Sequence, residues 1–204
     1  MNAEPTEHII SLGAHVHCSD GYGGSVTRLI VEAPNRRLTH IVVQDRTVPA
    51  VEHLVPIAWI AGTTYHRVTL DCTQSTLVAL EPFAGEQYIS SHASDYEPFY
   101  GVDPFAEFEA ENIPLVTEAI PPGELAIQRG AQAIASDGPV GEVSAFVVDR
   151  ASGDISCIVV RLGHWFARHE HAIPIATVER IESGIISLTF TREQIAALPA
   201  IQLQ

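Results

Sequence analysis

Ser19-Asp20-Gly21-Tyr22-Gly23-Gly24-Ser25-Val26 occurs a second time as Ser136-Asp137-Gly138-Pro139-Val140-Gly141-Glu142-Val143. Working outward from this stretch, a constant offset of 117 positions pairs Gly13 with Gly130, Leu29 with Phe146, Val31 with Val148, Leu38 with Ile155, and Ile41-Val42-Val43 with Ile158-Val159-Val160. One inserted residue then moves the offset to 118 and pairs His53 with His171, Pro56-Ile57 with Pro174-Ile175, Val68-Thr69-Leu70 with Ile186-Ser187-Leu188, and Leu80 with Leu198. Self-similarity of this length reports two copies of one folding unit.

Each copy has the period of strands. Asp-Gly with a further Gly three positions on suits a turn that needs positive φ, and the β-branched run behind it (26–32, 143–149) reads as the strand leaving a hairpin. A second turn, Ala33-Pro34-Asn35-Arg36 or Arg150-Ala151-Ser152-Gly153-Asp154, leads to an almost continuous apolar run (38–43, 155–160). That pattern predicts a strand covered on both faces. Further on, Val68, Leu70 and Cys72 alternate with Arg67, Thr69 and Asp71, and Ile186, Leu188 and Phe190 repeat the inward set. Each unit closes with a short helix. Thr191 with Gln194 forms a capping-box pattern for residues 192–198, and Thr73 caps 74–80. The predicted fold class is all-β with short helices: two tandem small β-barrels, each ending in a short α-helix.

The Gly start, the S-D-G-x-x-G-x-V turn, the I-V-V strand, Val55-Pro56-Ile57 or Ile173-Pro174-Ile175, and the V/I-x-L strand resemble, in this order, the PRC-barrel family. This small barrel is named for the cytoplasmic part of the H subunit of the photosynthetic reaction centre, and it also forms the C-terminal part of a ribosome-maturation factor. The second copy, with Gly163-His164-Trp165, is the closer match; the first diverges between Asp45 and Glu52. The resemblance implies a docking and assembly module and no particular reaction. It divides the chain into a first barrel-like domain (1–83), an acidic, aromatic-containing linker (84–129) and a second barrel-like domain (130–204).

With 204 residues, 46% of them hydrophobic, the chain can bury two small cores. No apolar run is long enough to span a bilayer, and residues 1–8 carry no basic, signal-type start, so the expected compartment is the cytoplasm, without membrane insertion. Cys18, Cys72 and Cys157 read as buried free thiols, the alternative being a disulfide or redox role. The net charge of −14, with no lysine, excludes sequence-independent binding to nucleic acid or anionic lipid. Acidity concentrates in residues 84–129, where nine Asp and Glu face one Arg.

Three groups are candidate site residues. His15 and His17 alternate on a strand and can present two imidazoles to zinc or copper, and His169 with His171 raises the same question. The plain reading is solvated or hydrogen-bonded histidine, since Gln132 and Ile134 replace the first pair in the other copy. Trp165 and Phe166 form an aromatic loop that either contacts a partner or plugs its own barrel. Tyr96, Phe99, Tyr100 and Phe105, interleaved with carboxylates, suggest a segment that lies on a surface, either the chain's own barrels or a partner. The segment Ile120-Pro121-Pro122-Gly123 reads as a stiff entry to the second unit, and Ile9-Ile10 as an addition to the first.

No catalytic set is visible. The glycine-rich turn lacks the Lys-Ser/Thr of a phosphate loop and opens a strand, not a helix, and Asp20 and Asp137 fit turn chemistry. The expected function is a non-catalytic interaction or assembly module with a protein partner or a second copy of itself, and no cofactor. The alternatives are a metal- or small-ligand-binding protein using the surface histidines, and an accessory of a membrane or photosynthetic complex.

Overall fold

The computed structural model describes residues 7–90, 112–118, 120–162, 169–182 and 184–201. Its strands in chain order are β1 (Glu7–Ser11), β2 (His15–Cys18), β3 (Gly21–Glu32), β4 (Arg37–Gln44), β5 (Glu52–Pro56), β6 (Ile60–Thr64), β7 (Arg67–Leu70), β8 (Ala84–Ser90) and β9 (Asn112–Glu118), followed by β10 (Glu124–Gln128), β11 (Gln132–Ala135), β12 (Gly138–Asp149), β13 (Ile155–Leu162), β14 (His169–Pro174), β15 (Val178–Glu182), β16 (Ile185–Leu188) and β17 (Ala200–Ile201). The helices are α1 (Gln74–Val78) and α2 (Arg192–Ala196), and 3₁₀ turns cover Ile57–Trp59 and Ile175–Thr177. All-β with short helices is therefore the class.

The order β5-β4-β3-β2-β7-β6 in the first sheet is repeated as β14-β13-β12-β11-β16-β15 in the second. Both contain the same parallel pair, β2 with β7 and β11 with β16. The hydrogen-bonded ladders of both sheets run as open paths, without the ring closure of a strict barrel. Instead, α1 lies against β3 and β5, with Leu77 buried.

Two strands correct the sequence reading. β1 does not join the first sheet; it pairs antiparallel with β12, with Ile10 opposite Phe146. β10 pairs with β3, with Ile127 opposite Leu29, so the segment read as the entry to the second unit belongs by pairing to the first sheet. The two ladders obey the repeat's own offset, so each half lends its leading strand to the other. The same alternating apolar pattern serves either sheet, which is why local sequence did not assign them. The exchange also merges the cores. One apolar cluster runs from Ile10 through Leu29, Ile127 and Phe146 to Ile195, instead of two separate ones. On the outer face of the first sheet, Phe83 covers Ile30, Val42 and Ala126, so the β4 strand is buried on both sides as its composition predicts.

The repeated turn has a specific physical content. A Cβ on Gly24 would lie 2.0 Å from the Gln44 carbonyl oxygen, and one on Gly141 would lie 2.1 Å from that of Arg161, so no side chain fits at either position. Asp20 and Asp137 do more than shape the turn, for each Oδ1 accepts the first backbone N–H of the closing helix, from Gln74 and Arg192 respectively, at 2.8 Å. Thr73 and Thr191 accept the N–H of Thr76 and Gln194, and only Thr191 completes a capping box. Turn and helix start thus stabilise one another across more than fifty residues.

The halves also interlock at their corners. Arg36, at φ +53°, donates to the Ile175 and Val178 carbonyls at 3.1 and 2.8 Å. Its counterpart Gly153 lies against Leu38 and Ile57 so closely that a Cβ would meet both at 2.5 Å. Arg161 and Tyr65 converge on the Glu170 carboxylate, joining the β6–β7 turn to β14.

Residues Ala84–Ala119 form a separate unit, in which β8 and β9 pair antiparallel from Ala84 opposite Glu118 to Ser90 opposite Asn112. The sequence reading treats this stretch as part of an acidic, aromatic-containing linker, 84–129, and assigns no elements within it.

Candidate interaction surface

The connection between β4 and β5 is wound around one buried carboxylate. Asp45 donates its N–H to the Val51 carbonyl at 2.8 Å. Its Oδ1 accepts the N–H groups of Thr47 and Val51 at 3.0 and 2.9 Å and lies 2.7 Å from the Thr47 hydroxyl. Its Oδ2 faces His53 Nε2 at 3.0 Å. Burial alone would raise the Asp45 carboxyl, but hydrogen bonds from Val51, His53 and Thr47 outweigh it and hold the group at about 2. His53 is held from its other nitrogen by the Leu80 carbonyl at 3.2 Å. The loop that results exposes Arg46, Thr47, Val48, Pro49 and Ala50, with Val48 99% exposed. An apolar side chain held in water by a well-bonded loop is unlike the core-facing valines on either side of it.

Beside this loop lies the outward face of the β2–β3 hairpin. Rings of His15 and His17 both pack edge-on against Tyr22, with centroids 5.6 and 5.4 Å apart, and His15 Nδ1 is 3.2 Å from the Tyr22 hydroxyl. The Arg46 guanidinium sits over the same ring at 5.4 Å. A tyrosine, two imidazoles and a guanidinium therefore run continuously into the exposed Val48 tip. Aromatic and Arg side chains of this kind act as contact anchors.

The histidines singled out in sequence separate into two kinds. His15 and His17 are partly or fully exposed on one face, as alternation requires, while Cys18 is buried on the other. His169 is exposed, but His171 is buried and donates from Nδ1 to the Leu198 carbonyl at 2.9 Å. That bond repeats His53 with Leu80 and ties the strand to the end of the closing helix. Among the described residues, no group of three or more His, Cys, Asp or Glu side chains is placed to hold a metal ion.

Trp165 and Phe166, together with Tyr96, Phe99, Tyr100 and Phe105, lie outside the described residues. In sequence the repeat sets Trp165 and Phe166, which fall between Ile158-Val159-Val160 and His171, against the Arg46–Ala50 stretch, which falls between Ile41-Val42-Val43 and His53. Sequence reasoning passed over Arg46, Val48 and Tyr22. The available signal was the apolar Val48-Pro49-Ala50-Val51 run, set where two strands must be connected and a polar loop is the rule.

Among the described residues no helix is long and apolar enough to cross a membrane. No curated protein matches the chain. Residues 129–195 match the description of the PRC-barrel domain, and they include the turn, the paired central strands and the capped helix described above. The stretch from residue 129 to 195 is thus similar to the PRC-barrel domain.

Proposed function

We propose that this chain is a non-catalytic assembly module of the cytoplasm that grips a protein partner with the segments following the central apolar run of each half. One is the Asp45-centred loop with Val48 at its tip; the other carries Trp165 and Phe166. The observation that carries the reading is the 99% exposure of Val48 on a loop fixed by four bonds to a buried carboxylate. A loop held in its bound form before association loses little conformational entropy on binding. The PRC-barrel match supports an interaction role at the level of the family.

The test is co-purification from the native source with the full chain, Val48→Ser, and Trp165→Ser/Phe166→Ser, each variant checked for an unchanged melting curve. Loss of the same partner from both loop variants is the expected result. Retention of every partner by both variants would remove the proposal, and sedimentation separates a foreign partner from a second copy of the chain. A second reading rests on His15 and His17 sharing one exposed face. It predicts stoichiometric zinc or copper and a large thermal shift with that metal, abolished by His15→Ala/His17→Ala.

A further inference from the structure

The first half contains a pair of thiols for which the second half has no counterpart. Cys18 ends β2, and Cys72 directly precedes the cap residue of α1. Because β2 and β7 run parallel, with His17 opposite Thr69, chain segments far apart in sequence end side by side. The Ser19 N–H and hydroxyl both donate to the Cys72 carbonyl, at 2.8 and 3.0 Å, which fixes the backbone around the pair. The two Sγ atoms lie 4.0 Å apart.

Two further features show that the space is shaped for sulfur. The corresponding positions in the other half are Ala135 and Phe190, so the fold closes without either thiol. Gly23 stands where the other half has Val140, and a Cβ on Gly23 would come within 2.9 Å of the Cys18 sulfur. Gly23, the second glycine of the first turn, therefore leaves room for the pair.

We infer that Cys18 and Cys72 form a reversible intramolecular disulfide when the chain meets a low-molecular-weight disulfide such as oxidised glutathione. The Cys72 thiol, the more accessible of the two, gives its proton to solvent. Its thiolate attacks one sulfur of the reagent and displaces one glutathione thiolate, which takes up a proton. The Cys18 thiolate then attacks the Cys72 sulfur of the mixed disulfide and displaces the second glutathione. Two S–H bonds of the protein and one S–S bond of the reagent become one Sγ–Sγ bond and two glutathione thiols, and two electrons pass to glutathione. Bond formation requires the sulfurs to approach by about 2 Å, within reach of a χ1 rotation. Burial raises both thiols, Cys18 to about 12, so the exchange is slow at neutral pH and accelerates as pH rises.

The experiment incubates the full chain with oxidised glutathione, blocks remaining thiols by alkylation, and follows peptide mass and thermal unfolding. The expected result is that Cys18 and Cys72 escape alkylation while carrying no glutathione, with the melting temperature raised by about 10 °C and restored by dithiothreitol. Cys18→Ala/Cys72→Phe, which imports the pair found in the other half, should melt like the reduced protein and show no shift. In Cys18→Ser, Cys72 should retain glutathione. The inference is overturned if Cys18 and Cys72 stay open to alkylation, if the wild-type chain accumulates a stable glutathione adduct at Cys72, or if the bridge forms only between chains.

Discussion

Where the first half has Asp45, the second has Leu162, and where the first has the Cys18 and Cys72 thiols, the second has Ala135 and Phe190. The parts that the halves share are different in kind. The Asp of the turn that caps the closing helix, the glycine against a neighbouring carbonyl, and the histidine bonded to the helix end recur at equal offsets with nearly equal geometry. The repeated residues build the sheet and fasten its helix. The unrepeated ones shape loops and surfaces, so a function particular to this chain is to be sought among the differences.

The comparison breaks first at the paired glycines. Gly24→Ala and Gly141→Ala should each cost about 4 kcal/mol or prevent folding, because a backbone carbonyl occupies the site of the new methyl. Urea unfolding followed by circular dichroism checks both, and tolerance of one alone would show that the halves are not equivalent at this turn.

The exchanged strands come next. Ile10 and Ile127 are both fully buried, one in each lent strand, so Ile10→Ala and Ile127→Ala should each cost about 3 kcal/mol. If Ile10→Ala were neutral, β1 would not be part of the second sheet. Equal costs that change both halves together would agree with the continuous core.

Asp45 sharpens the contrast, since it has no acidic counterpart. Its folded value of about 2 lies below the ordinary 3.8, so it contributes stability that is full above pH 3.8 and lost as pH falls toward 2. That contribution is about 2 kcal/mol, and Asp45→Asn should remove it and flatten the stability profile over this range. Acid titration of the melting temperature for both proteins is the measurement. An unchanged profile would mean that the loop is not organised by this carboxylate.

The smallest effect distinguishes the two helix caps. Thr191 has a returning Gln194 side chain, whereas the third helical position after Thr73 is Thr76. Thr191→Ala should cost about 1 kcal/mol and Thr73→Ala about half of that, read from denaturant midpoints. The reverse order would show that Asp20 and Asp137 cap their helices unequally.

By itself the sequence determined the duplication, the strand class, the succession of strands along each copy and both capped helices, because period, turn residues and capping pairs are local signals set by backbone geometry. It also marked His15 and His17 as a shared outward face. Tertiary structure alone decided which sheet Ile9-Ile10 and Leu125-Ala126-Ile127 complete, since alternating apolar residues fit any edge of correct register. It likewise decided that Asp45 would be buried at the centre of a loop with Val48 outside, and that Cys18 would meet Cys72. Those facts depend on contacts between residues distant in the chain, whose free energy appears only once the strands between them have paired.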